Sequence, residues 1–290
     1  MTYPESDMKK IIILALSIIL PVLAFGQAQI DTKKMKIADF TDKTTKVVLT
    51  GKMFHDAQLE KSIKERWHIS ATEFCTLDEY EELRSNENYY FLLTVSGQFK
   101  KENEPELTFL TIVKGGAGND KGISSMLEVV SFPFASTKEP SGREYVFLPA
   151  ILDMIQTHVA NSIAKDVNGY LGLSNYSLNI SKSGQMDLVF SASDLSSEVT
   201  SEIQGLYFND GILVLDEDAA DEYMTPEKEN TLVSYVVAPT DAPVGSYCYK
   251  MLFDTQNSNL FYFRRHKIST KSGPGFLAED IKRICSPRKK

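Results

Sequence analysis

Two halves of this chain repeat one another. Val47-Val48-Leu49 recurs as Leu188-Val189-Phe190, Ile63 and Trp67 as Ile203 and Tyr207, Asp78-Glu79-Tyr80 as Asp221-Glu222-Tyr223, and Glu87-Asn88 as Glu229-Asn230. Each pair lies about 140 residues apart and falls on the same element of a strand–helix alternation. Phe147-Leu148 with Ile155 matches Phe276-Leu277 with Ile284 at a somewhat smaller spacing, as longer loops in the first half require. A single match carries no weight, but five in register point to a tandem duplication. The fold class is therefore α/β, with α+β as the alternative: two tandem units, each a mixed sheet with flanking helices.

In the first unit, residues 27–165, a β-branched strand opens at Val47 and ends at Gly51. Asp56 reads as the N-cap of a short helix that puts Leu59, Ile63 and Trp67 on one face. After a strand over Ile69 to Phe74, Thr76-Leu77-Asp78-Glu79 has the spacing of a capping box. Strands follow over Tyr89 to Val95, Leu107 to Val113 and near Met126 to Phe132. A long helix from about Leu148 to Lys165 closes the unit, with Pro149 in its first turn, where a missing N–H does no harm. Residues 166–186, rich in Gly, Ser and Asn, form the connection. The second unit, residues 187–290, repeats the order, from the strand Leu188–Ala192 to a terminal helix ending at Ile284.

This order resembles the small α/β domain of the TolB N-terminal, CsgG and LpoB type found in bacterial envelopes. The residues that carry the likeness are Val47–Gly51, Ile69–Leu83 followed by Tyr89–Gly97, and Gly211–Met224 followed by Leu232–Val237. The turn Phe253–Asn257 and the helix at Phe276 fit the same pattern. The stretch Leu59 to Phe91 is also similar to secreted, uncharacterised proteins of the Bacteroidetes. The resemblance implies a fold and a compartment. It supplies no catalytic residues.

The compartment has its own signal. Met8-Lys9-Lys10 begins a cationic segment, and the apolar run Ile11 to Phe25 is shorter than the roughly 20 residues a helix needs to span a bilayer. Small residues follow, placing cleavage between Gly26 and Gln27, so residues 1–26 read as a secretory signal peptide. Glu5 and Asp7 spoil the cationic start, which makes Met8 a second possible initiator. The expected protein is periplasmic or secreted, with no membrane span in the mature chain. Its 31 basic against 39 acidic residues, a net charge of −8, exclude a nucleic-acid binder that relies on a basic footprint. Cys75, Cys248 and Cys285 are too few for a disulfide scaffold, and a core of this size folds without one.

Chemistry is hard to find. Gly115 to Gly122 contains Lys121 after a strand, but a phosphate loop needs Ser or Thr after that lysine and a helix beyond it, so a hairpin loop is the better reading. Asp216 to Glu222 lacks the central glycine and distal glutamate of a calcium loop, and acids at a helix start favour its dipole in any case. His55, His68, His158 and His266 show no zinc spacing. His55 and Asp56 beside Ser62 make no triad without a nucleophile elbow; His55 reads as a surface residue next to a cap. Phe261 to Lys267, aromatic and basic, reads as a solvated hairpin strand whose cations discourage edge pairing. No catalytic residue, metal ligand or cofactor is assigned. The expectation is a non-enzymatic protein that binds a protein partner in the cell envelope. The alternatives are an enzyme with a dispersed site between the units, and a ligand or metal binder using the acidic segment.

Overall fold

The computed structural model describes residues 37–288, apart from 100, 101, 103, 166–171, 226 and 227. The segment read as a signal peptide, with the expected cleavage pair Gly26 and Gln27, and part of the connection lie outside the described residues. In the first unit the elements are β1 (Thr44–Val48), α1 (Met53–Arg66), β2 (Ala71–Cys75), α2 (Leu77–Leu83), β3 (Tyr89–Gly97), β4 (Leu107–Lys114), β5 (Leu127–Ser136) and α3 (Arg143–Ala164). In the second they are β6 (Asp187–Ser191), α4 (Ser201–Tyr207), β7 (Ile212–Leu215), α5 (Glu217–Asp221), β8 (Thr231–Val237), β9 (Tyr247–Asp254), β10 (Leu260–Lys267) and α6 (Ala278–Cys285).

The first sheet runs β2-β1-β3-β4-β5 and the second, written from the same end, β7-β6-β8-β9-β10. In each, the first three strands are parallel and the last two antiparallel. The two units thus share strand order and sense, as duplication requires.

The detailed register differs from the sequence reading in two places. Thr44 pairs with Tyr89 and Asp187 with Thr231, while Val48 pairs with Cys75 and Ser191 with Leu215 at the strand ends. Val47 therefore corresponds to Phe190, two residues beyond the sequence match; a slip of two leaves every side chain on its face, so alternation could not detect it. The recurrence of Asp-Glu-Tyr is coincidental. Thr76 and Asp216 are the equivalent N-caps, each accepting a backbone N–H three residues on, which sets Ala220 where Tyr80 stands. Glu87-Asn88 and Glu229-Asn230 do correspond, each leading directly into β3 or β8. Trp67 is the C-cap of α1 and Tyr207 the last residue of α4, both partly buried at the same end of equivalent helices.

Three local expectations also change. Asp56 does not cap α1: Lys52 does, and the Asp56 carboxylate folds back to accept from Thr50 N (2.9 Å), Thr50 Oγ1 (2.9 Å) and Gly51 N (2.8 Å). Gly51 has φ +79°, the left-handed turn out of β1 that this ring of bonds holds. The closing helix starts earlier than read, at Arg143, so Pro149 lies inside it rather than in its first turn. Tertiary burial supports the helix across that proline: Phe147, Leu148, Ile151, Leu152 and Ile155 are all fully buried. His55 is buried too, as described below.

Burial explains how the units join. In the first, α1 and α3 cover one face of the sheet, and Val47, Leu92, Leu59, Ile63 and Ile151 share its core. In the second, α4 and α6 cover the equivalent face, with Leu188, Phe190, Leu232, Ile281 and Ile284. The opposite faces are treated differently. On the first sheet Phe91, Leu93 and Val113 are covered by Tyr80 of α2 and by Met126 and Ile123 from the long β4–β5 excursion. Their counterparts Val233, Tyr235 and Phe253 have the smaller Ala220 of α5 in place of Tyr80 and a short turn after β9 in place of the excursion, and they pack into the first unit's core as well. Phe147 of α3 stacks on Tyr235 at 4.3 Å and meets Phe253 at 5.8 Å, while Phe132 of β5 meets Phe253 and Phe263. One helix thus serves two sheets.

Candidate functional site

Open sheets with parallel strands bind ligands at the carboxyl ends of those strands, where the chain departs to opposite sides. Here that place lies between β1 and β3 in the first unit and between β6 and β8 in the second. The second is filled from within. Arg143, the first residue of α3, donates through Nη1 to Asp194 Oδ1 (2.9 Å) just beyond β6, and through Nη2 to the carbonyl of Ser234 on β8 (3.1 Å). Its Nε reaches both oxygens of Asp221 at 2.9 Å. Ser234 Oγ completes the group by donating to Asp194 Oδ2 at 2.5 Å. The guanidinium also lies 5.4 Å from the Phe147 ring and 5.6 Å from that of Tyr235.

Burial works against the Arg143 charge, but the carboxylates of Asp194 and Asp221 outweigh it and raise its pKa. Burial in turn pushes both carboxyls upward against the pull of the cation. The cluster spans both units, and one of its acids, Asp221, comes from the segment weighed above as a calcium loop. Asp216 caps α5, Asp221 pairs with Arg143, and Glu217 accepts from Ser193 Oγ at 2.9 Å. Sequence reasoning missed Arg143 and Asp194. They stand 51 residues apart, and no spacing rule joins them.

The equivalent place in the first unit is open. Its polar groups are turned inward and used. His55, with 8% of its surface exposed, contacts Tyr145 Oη through Nδ1 (3.2 Å) and Thr94 Oγ1 through Nε2 (3.0 Å), and burial lowers its pKa. Asp56 is held by the Thr50–Gly51 turn, and Ser62 is buried further along α1, so the three residues do not converge. Large apolar side chains face water there, next to the exposed Lys52. Met53 is 88% and Phe54 64% exposed at the start of α1, and Val146 is 40% exposed on α3. The Phe54 ring packs edge-on against Tyr145 at 5.1 Å, which joins the two helices into one patch.

The remaining histidines are dispersed. His68 Nδ1 contacts the Arg66 carbonyl at 2.9 Å, and His266 Nε2 that of Gly273 at 2.8 Å. His158 is buried on α3, with Nδ1 3.1 Å from Tyr176 Oη, and burial lowers its pKa to about 4. The three cysteines are buried and form no disulfide; burial pushes the Cys75 thiol up to about 11 and that of Cys248 to about 12, the wrong direction for a nucleophile. Gly115–Gly122 lies within the β4–β5 connection, where a Cβ on Gly115 would sit 2.3 Å from the Asn86 carbonyl oxygen. Phe261–Lys267 falls in β10, whose outer edge is covered: Ser177 Oγ accepts from Phe263 N (3.0 Å) and donates to Phe263 O (2.7 Å).

A groove of about 520 Å³ lies between the units, lined by Arg66, His68, Asp153, Gln156 and Asn257 among others. Arg66 and Asp153 pair with each other there, and both ends of the Gln156 amide are spent on the backbone of 66–69 and Leu152. Among the described residues no group of three or more His, Cys, Asp or Glu is set to hold a metal ion, and no helix is long and apolar enough to cross a membrane. No protein-family model, curated protein or solved structure matches the chain.

Proposed function

We propose that the protein is exported and acts by holding a protein partner in the cell envelope, with the open end of the first sheet as its docking surface. The observation that supports this is the Met53–Phe54–Tyr145–Val146 patch. Large apolar groups stand in water at the place where open α/β sheets take their ligands, while the polar groups beside them are consumed by internal bonds. Chemistry on a substrate needs polar groups with capacity to spare; a partner's apolar side chains need a surface to cover. The alternative, an enzyme acting between the units, would use the groove at Arg66 and Asp153, whose charges already neutralise each other.

Two measurements test the reading. Exported material should begin at or near Gln27 by N-terminal sequencing; a mature form that keeps Ile11–Phe25 in the membrane would refute export. A partner identified by cross-linking to wild-type protein should be lost from the double variant Met53→Ser/Phe54→Ser, while its melting temperature stays close to wild type, since both side chains are already exposed. Undiminished cross-linking to that partner would remove the patch from the account.

A further inference from the structure

The two sheets present four edges, and three are closed or guarded. β5 faces the second sheet, with Tyr235 Oη donating to the Phe134 carbonyl. β10 is covered by the 3₁₀ segment Leu173–Lys182, through Ser177 and through Asn179 Nδ2, which donates to Leu260 O at 3.0 Å. β2 carries the Lys46–Glu73 ion pair, and Lys64 Nζ lies 5.2 Å over its Phe74 ring. Charges of this kind discourage strand addition. The equivalent edge of the second unit, β7, has none: its residues are Ile212, Leu213, Val214 and Leu215, and Leu213 is 36% exposed.

The backbone of β7 is set out for pairing. Leu188 N donates to Gly211 O at 2.8 Å, so by the alternation of a parallel ladder Leu213 and Leu215 address β6 while Ile212 and Val214 turn outward. The Ile212 N–H is already given to Asn209 O at 2.9 Å. That leaves the Val214 N–H and the carbonyls of Ile212 and Val214 to the outside. Both ends of the strand are acidic. Asp187 and Asp210 stand exposed at its start, Asp216 and Asp218 exposed at its finish, and none of the four is in an ion pair among the described residues. This charge argues against a second copy of the chain. An antiparallel β7–β7 contact would set Asp187 and Asp210 of one molecule against Asp216 and Asp218 of the other.

We propose that β7 is the docking edge for an extended segment of a partner protein, apolar at alternate positions and carrying Lys or Arg at both ends, which adds to the second sheet as a sixth strand. Backbone bonds supply the pairing, the exposed side chain of Leu213 meets the apolar face of the added segment, and the four carboxylates select the basic ends.

The test titrates the full chain with the labelled peptide Lys-Lys-Val-Thr-Val-Thr-Val-Lys-Lys and with the same peptide carrying Glu at both ends. The Lys peptide should bind, and the Glu peptide at least about tenfold more weakly. The double variant Asp210→Lys/Asp218→Lys, which spares the Asp216 cap, should weaken the Lys peptide by a similar factor, as should about 0.5 M salt. Val214→Pro should abolish binding, since proline removes the outward N–H at a position an edge strand tolerates. Should that variant not fold, N-methylation of the central Val and Thr of the peptide removes the ladder while keeping every charge. Met53→Ser/Phe54→Ser should leave peptide binding unchanged, which separates this edge from the patch at the first sheet. Equal affinity for the two peptides, indifference to N-methylation, or a wild-type dimer in sedimentation that Val214→Pro dissolves would each overturn the proposal, the last by showing a second copy on the edge.

Discussion

Arg143 shows how much can rest on one side chain. Its guanidinium satisfies the buried carboxylate of Asp194, the part-buried carboxylate of Asp221 and a strand carbonyl, so truncation leaves Asp194 without a counter-charge in a dry site. Arg143→Ala should cost about 3–5 kcal/mol in urea unfolding, the usual penalty for breaking a buried pair from one side. Arg143→Met/Asp194→Asn should recover part of that loss, because it removes both charges together. His158 makes a separate prediction. Asn161 Nδ2 donates to the Tyr176 oxygen at 3.2 Å, leaving the phenol proton for His158 Nδ1, while Nε2 has no partner among the described residues. Its pKa falls from 6.5 to about 4 on folding, so between those values the unfolded chain takes up a proton that the folded chain refuses. The histidine's contribution is therefore complete above pH 6.5 and is lost as pH falls through about 4, a difference of about 3 kcal/mol. Urea unfolding at pH 7.5 and pH 4.5 should show a smaller pH effect in His158→Gln than in wild type; equal slopes would mean the ring accepts its proton in place.

Helix and loop starts are where the sequence was easiest and hardest to read. Thr76 Oγ1 accepts from Glu79 N at 3.2 Å, and Glu79 Oε2 accepts from Thr76 N at 2.7 Å. Thr76→Ala should cost about 1 kcal/mol, measurable as a shift in the urea midpoint. Gly115→Ala should cost more than Gly184→Ala, because its Cβ would meet two backbone oxygens, at 2.3 and 2.8 Å, whereas nothing lies near Gly184. The capping box was legible because reciprocal bonds four residues long leave a fixed local spacing. Strand positions were legible because β-branched and aromatic runs such as Tyr89–Val95 end at glycine or charge. The N-terminus of α3 was not, since Ser141-Gly142-Arg143 carries no side-chain cap and its Gly142 turns at φ +94°. His55 was misread for a related reason: its cover, Tyr145, lies 90 residues away, and tertiary packing writes nothing into local sequence. The apolar patch was hidden likewise, since Met53 and Phe54 look like core until the helix is seen to turn them outward.

At the scale of the whole molecule, one continuous core holds residues of both units, from Val47 and Ile63 to Tyr249 and Phe253. Thermal unfolding should therefore be a single transition with equal calorimetric and van't Hoff enthalpies, unchanged by reductant because the three cysteines form no disulfide. Two separated transitions would show that the units fold independently. The shared helix has a further bearing, on descent. The first unit carries its own cover over Phe91, Leu93 and Val113, and the second has traded the corresponding cover for its neighbour. A gene fragment encoding residues 187–290 alone would yield a sheet with Tyr235, Met251 and Phe253 bare, a product prone to aggregate rather than a module free to travel. The excursion from Gly115 to Met126 also occupies the one face on which a third unit could stack in the same manner. Each repeat on its own would thus leave bare an apolar surface that the other now covers, and a third could stack in the same manner only where that excursion were lost.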